Sequence, residues 1–169
     1  MIRNRNMPEQ TEQELIERVV NIKRVAKVVK GGKRFGFSTL TVVGDGNGRI
    51  GVAIGKANDV RNSIEKSLAK AKASMDTVSI TEDFTIPHSI IGKCGAAEIL
   101  LKPAVPGTGV IAGGPARDVL TAVGIKNIFA KCLRSRNHLN VVYATINGLK
   151  SLRSKEYIAQ VRGKEIKSL

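Results

Sequence analysis

Between Arg18 and Arg34 the chain carries seven cations, Arg18, Lys23, Arg24, Lys27, Lys30, Lys33 and Arg34, and no carboxylate. Charge of one sign at that density attracts polyanions, whereas an ordinary solvated strand face mixes signs. The segment Lys30-Gly31-Gly32-Lys33-Arg34-Phe35 sets that charge beside two glycines, where backbone amides and cations can both meet a phosphate. Phe35 could stack on a base, but it shares the parity of Phe37, which points to packing. The chemistry expected here is contact with a phosphate backbone. A smaller basic group, Lys126, Lys131, Arg134 and Arg136, marks the second half.

Other spacings fail on context. Gly46-x-Gly48-x-x-Gly51 has the dinucleotide pattern but leads into a strand, not out of one into a helix. Gly55-Lys56 resembles the end of a P-loop, yet Ile50 occupies the first glycine position and Ala57 stands where Ser or Thr would hold magnesium. Gly48-Arg-Ile-Gly51 and Gly92-Lys-Cys-Gly95 fit GxxG, which should join two helices, and both lie beside strands, so they read as turns. His88, His138, Cys94 and Cys132 do not combine at zinc spacing. No nucleophile, base and orienting acid cluster together, so no catalytic residue, metal or cofactor is expected.

The glycine-rich loop from Pro106 through Gly107, Thr108, Gly109, Gly113 and Gly114 to Pro115 carries the alternative function. Such a loop before a helix can cradle phosphates, as in a phosphoryl-transfer enzyme. A magnesium-binding carboxylate pattern is missing nearby. The loop is instead expected to serve protein contact, with Gly113 and Gly114 at φ > 0 positions that a β-branched residue would disturb.

The whole composition agrees with a polyanion partner. Lys and Arg number 28 against 14 acidic residues in 169, a net charge of +14, with 42% apolar content that suits a globular chain. No membrane partner is expected, since the charge-free stretch Pro103 to Ala116 is broken by three Pro and four Gly. The first residues lack the apolar core of a secretory signal, and two unpaired cysteines suit a reduced, cytoplasmic compartment.

The elements that must hold these residues follow from periodicity. Residues 1–14 read as a flexible tail, with a capping box at Thr11-x-x-Glu14 that could start a helical turn. From Arg18 a half-buried strand puts Val20, Ile22, Ala26 and Val28 on one parity. A second strand, Phe35 to Val43, turns at Asp45-Gly46-Asn47-Gly48 into a third with Ile50, Val52 and Ile54 inward. A helix capped by Asn58 or Asp59 shows the stripe Val60, Ile64, Leu68, Ala71 and Met75. Asp76 to Pro87 reads as a connector carrying a short strand at Val78 to Ile80. In the second half, His88–Lys93 and Ala96–Lys102 form a hairpin. A helix spans Ala116 to Val123, and a buried strand Ile128 to Leu133. A second helix uses Leu139, Val142, Ala144, Ile146 and Leu149, and a third uses Tyr157, Ile158 and Val161 before Gly163. The expected division is 15–80, a connector 81–87, and 88–169 with a basic tail.

Several long motifs, in order, carry a family resemblance. Val28-Val-Lys-Gly-Gly-Lys-Arg-Phe, Thr41-Val-Val-Gly-Asp-Gly-Asn-Gly-Arg-Ile-Gly and Gly55-Lys-Ala resemble the first domain of the fifth small-subunit ribosomal protein family. Pro106-Gly-Thr-Gly-Val-Ile-Ala-Gly-Gly and Asn140-Val-Val-Tyr-Ala-Thr-Ile-Asn-Gly-Leu resemble its second domain, and the short N-terminal tail looks bacterial. The resemblance implies an α+β chain, a double-stranded-RNA-binding-like β-β-β-α domain followed by a small α/β two-layer domain. It implies contact with small-subunit ribosomal RNA, in which Arg49 and Lys56 of the quoted motifs join the cations above. It implies the neighbours S-four and S-eight, messenger RNA where it enters the ribosome, and a part in decoding accuracy. The Lys30–Phe35 loop would lie near the spectinomycin site, with no small-molecule substrate of its own. Gly107 to Arg117 would face S-four. The chain departs from the family at Val52-Ala-Ile-Gly-Lys56, which lacks the usual aromatics, and at Arg61 and His138, which replace helix-start prolines.

Overall fold

Alternating β-branched and polar residues from Ile16 onward give three long antiparallel strands in the computed structural model, which describes residues 15–81 and 83–163. The tail 1–14 with its capping box, and the basic end after Gly163, lie outside the described residues. Strands β1 (Ile16–Val29), β2 (Gly32–Gly44) and β3 (Arg49–Ala57) lie side by side, and a three-residue β4 (Met75–Thr77) completes the sheet. The Asp45 carboxylate accepts from the amides of Asn47 and Arg49, closing the β2–β3 turn with Gly46 and Gly48 at positive φ.

Three expectations for this half are corrected. The short strand is Met75–Thr77, not Val78–Ile80, because the chain leaving the helix pairs at once with Arg49–Gly51 of β3. The outer part of β1 is not half-buried: Val28, expected inward, is 73% exposed. Helix α1 (Val60–Ala73) buries Ser63, Ser67 and Ala71, while Ile64 and Leu68 are only partly covered. The reason is close approach. α1 lies against Gly51 and Gly55, where a Cβ would overlap the carbonyl oxygens of Ala71 and Ser63, so only small side chains fit between. The Ser63 hydroxyl donates to the Gly55 carbonyl at 3.0 Å and shares a 2.9 Å hydrogen bond with Thr39, so these two buried hydroxyls are satisfied, while that of Thr41 has no partner among the described residues. Both unusual helix starts form nonetheless, α1 at Val60 and a later helix at His138.

The second half is another four-stranded sheet, in the order β5 (Ile90–Cys94), β6 (Ala97–Pro103), β8 (Ile128–Cys132), β7 (Val110–Ile111). β7, a two-residue strand parallel to β8, was not read from the sequence. Helices α2 (Gly114–Val123) and α3 (His138–Lys150) cover one face, and α4 (Lys155–Arg162) follows. Left-handed glycines end α2 at Gly124 and α4 at Gly163, as expected. β8 is not a buried strand. Ile128 is buried, but Phe129 and Lys131 lie on the sheet face that no helix covers. In α4 the buried residue is Ala159, with Tyr157 and Val161 exposed.

One core joins the halves. Leu40, Val42 and Ile50, on the face of the first sheet away from α1, pack in the same cluster as Val119, Leu120 and Val123 of α2 and Val142 and Ile146 of α3. The β2–β3 turn is latched to the end of α2: Gly46 and Gly48 donate to the carbonyls of Ala122 and Val123 at 3.1 and 2.9 Å. Those carbonyls have no partner within the helix, so the turn satisfies them.

Candidate nucleic-acid interface

β3 ends opposite Phe37, so β1 and β2 continue beyond it as a two-stranded ribbon, from the Val25–Gly36 pair to the Val29–Gly32 pair. Register fixes which side chains share a face, because residues directly opposite in an antiparallel pair point the same way. Lys23 lies opposite Ser38, which lies opposite Lys56, and Lys27 lies opposite Arg34. These four cations occupy one face. Arg24 and Lys33 lie on the other, opposite Phe37 and Val28. Lys30 and Gly31 form the tip, where Gly32 adopts φ +133°, open to glycine alone among common residues.

Five ion pairs join described residues, and none involves Arg18, Lys23, Arg24, Lys27, Lys30, Lys33, Arg34, Arg49 or Lys56. The ribbon's charge is therefore not neutralised by those carboxylates. Two members of the expected set stand apart. Arg18 lies opposite Val42 at the base of the sheet, beside Asp118 of α2. Arg49 begins β3, about 23 Å along the strand from Lys56 at 3.3 Å per residue.

Phe35 does not pack with the core as its parity suggested. It is 51% exposed, and the Arg24 guanidinium lies 3.9 Å from the ring centroid. Phe37 is nearer the covered end and is partly buried. The difference is the length of α1, which does not reach the outer rungs.

The glycine-rich loop is organised by a residue that sequence reading missed. Asn127 is buried, and its side-chain oxygen accepts from the amides of Gly107 and Gly109 at 3.1 and 3.3 Å. Its side-chain nitrogen donates to the Asp83 carbonyl. Thr108 is tied to the Val105 carbonyl through both its amide and its hydroxyl. An Asn just before an apolar strand was the available signal. The left-handed glycines are Gly107 (φ 92°) and Gly109 (φ 78°). Gly113 has φ −68° and Gly114 is not left-handed, so the expectation that these two need positive φ is corrected. Gly113 caps α2, and the Arg117 amide closes its first turn on the Gly113 carbonyl. Nearby, burial pushes the Asp118 carboxyl above its ordinary range, while Arg18 and Arg117 pull it back down.

With the amides of Gly107 and Gly109 already held by Asn127, that part of the loop is not free to cradle a nucleotide. Among the described residues no three His, Cys, Asp or Glu side chains gather as metal ligands, and no helix is long and apolar enough to cross a membrane.

Comparison with known proteins covers nearly the whole of this architecture. The family model described as "Ribosomal protein S5, N-terminal domain" matches residues 15–79, and "Ribosomal protein S5, C-terminal domain" matches residues 92–162. A protein of Syntrophobacter fumaroxidans named small ribosomal subunit protein uS5 is 53% identical over 158 residues, which is 94% of this chain and 95% of that one. Proteins of the same name from Ruthia magnifica and Vesicomyosocius okutanii are 50% and 53% identical, over 92% and 88% of this chain and 90% and 86% of theirs.

Proposed function

Because the chain belongs to the ribosomal protein S5 family, of bacterial type, and is with it a structural, non-enzymatic constituent of the small ribosomal subunit, we propose that the β1–β2 ribbon grips ribosomal RNA through its phosphates. One observation carries this reading: a ribbon extending past its own sheet, with cations on both faces and none of them in an ion pair among the described residues. Charge left uncompensated in the free protein is charge available to displace counterions from RNA. The setting is the cytoplasmic ribosome, and the partners are ribosomal RNA and its other components. The finer neighbours follow the family. Gly107, Thr108, Gly109, Gly113, Gly114 and Arg117 face S-four, S-eight adjoins, and messenger RNA passes close enough for the protein to affect decoding accuracy. In support, a Cβ added at any of these four glycines would meet nothing within 4 Å, so the loop presents open backbone.

The test is a salt series of RNA affinity for the wild type and for K30A/K33A/R34A. If each side chain neutralises one phosphate, the logarithmic salt slope falls by roughly 2 to 3 units. RNAs of one shape and different sequence lose affinity alike, since phosphate contacts position without reading bases. The melting temperature changes little, because exposed charges contribute little to folding. Parallel slopes would remove the ribbon from the interface.

A further inference from the structure

β7 stops at Ile111 while β8 runs on to Cys132, so over Ala130–Cys132 β8 pairs with β6 on one side and has no strand on the side toward β7. A cleft of about 590 Å³ opens there, between that edge, the first turn of α2 and the first turn of α3. Arg117, Lys131, Arg136 and His138 line it, and no carboxylate does. Glu98, a nearby acid, is already engaged by Lys93 and Arg134 at 3.1 and 3.2 Å. Arg117, Lys131 and Arg136 take part in no ion pair among the described residues.

Backbone charge adds to side-chain charge. Both helices begin at the cleft, from Gly113 and Asn137, and neither has a side-chain cap or an acidic residue in its first turn. Two positive helix ends, with Arg117 and Arg136 bordering the same space and Lys131 at its rim, concentrate positive charge that an anion would relieve. The cleft has no aromatic lining on which a free nucleotide base could stack.

We infer that this cleft seats a phosphate group of the RNA backbone, as a second site separate from the ribbon. The inference rests on the RNA-binding reading above and extends it to the second sheet. Gly113, Gly114 and Arg117 also belong to the surface assigned to protein contact, so the test uses Lys131 and Arg136, which lie outside it. With the full chain and small-subunit ribosomal RNA, K131Q/R136Q lowers the salt slope by about 1 unit, at roughly 0.9 for the one phosphate seated. The loss adds to that of K30A/K33A/R34A in the combined variant. Its melting temperature without RNA stays level or rises, because like charges have been removed. A slope parallel to wild type, beside a flattened slope for the ribbon variant, overturns the cleft and leaves the ribbon standing. Parallel slopes for both variants overturn the RNA-binding reading itself. Inorganic phosphate and ATP, titrated onto the free chain and followed through the amide resonances of Gly114 and His138, separate the sources. Tight ATP binding with an unchanged RNA slope would make this a free-phosphate site and sink the inference. Binding of an acidic protein segment, lost in K131Q/R136Q while the RNA slope is kept, would sink it equally.

Discussion

Along β2 the same kind of sequence meets two different fates. From Thr39 to Gly44 every residue is buried, with α1 on one face and α2 and α3 on the other. From Lys33 to Phe35 every residue is exposed, and the β1 residues opposite, Ala26 to Val28, are exposed with them. Nothing in local β propensity separates the two ends, since Val25 and Val28 are as β-branched as Val42 and Val43. Tertiary cover separates them: the inner end holds the protein together, and the outer end is left to a partner.

The sharpest way to break that contrast is to add one side chain at each end. A Cβ on Gly44 would overlap the carbonyl oxygen of Ala122, whereas one on Gly31 would meet nothing within 4 Å. Gly44→Val should lose more than about 3 kcal/mol, while Gly31→Ala should stay within about 0.5 kcal/mol of wild type. Denaturant melts of the two variants decide it, and equal losses would mean that the ribbon is structural after all.

Phe35 sharpens the contrast from the other side. With half its surface open and Arg24 over the ring, F35A should cost under about 1 kcal/mol of stability, well short of a buried aromatic. If the ring stacks on RNA, affinity should fall by about 1–3 kcal/mol and F35Y should restore it. A variant that melts early but binds normally would return Phe35 to the core.

The smallest effect belongs to the junction between the regions. Asp118 is held above its ordinary value of 3.8 mainly by burial, so the folded state binds this proton more readily than the unfolded state does. Stability contributed by this group therefore rises as pH falls through the folded-state value, and is absent at neutral pH. D118N should steepen that part of the acid limb, because this offsetting gain is removed, and leave stability at pH 7 unchanged or slightly higher. Melting curves from pH 3 to 7 test the sign. A shallower acid loss in the variant would show that Arg18 and Arg117, not burial, dominate.

What could be read in advance was local. The three strands, the Asp45–Gly48 turn, the ends of α2 and α4, and the run of cations all follow from period, turn chemistry and charge. What escaped depends on neighbours distant in sequence. The stripe Val60, Ile64, Leu68 looked like the buried face of α1, but hydrophobicity does not record how closely a helix can approach a glycine-bearing strand, and Ser63 and Ser67 took that place. Phe129 looked buried because a five-residue apolar strand says nothing about which sheet face receives helices. Lys131 and Arg136 were visible as a basic group, yet their meeting with Arg117 needs β8, α2 and α3 to converge. The charged ribbon was legible because its members are near neighbours in sequence, and the cleft was not because its members are not.

The latch between the β2–β3 turn and α2 also sets an order in time. A chain is made from its N-terminus, so residues 15–79 emerge before the residues that complete them. Gly124 comes 45 positions after residue 79, a lag of about 2–9 s at typical synthesis rates. Through that interval the amides of Gly46 and Gly48 have only water to bond, and the Leu40, Val42 and Ile50 face lacks the α2 residues that later cover it. The nascent polycation thus carries an open apolar face while surrounded by the RNA of the ribosome making it. Arrest short of Gly124, more than any injury to the finished protein, is the point at which this chain should aggregate or recruit a chaperone.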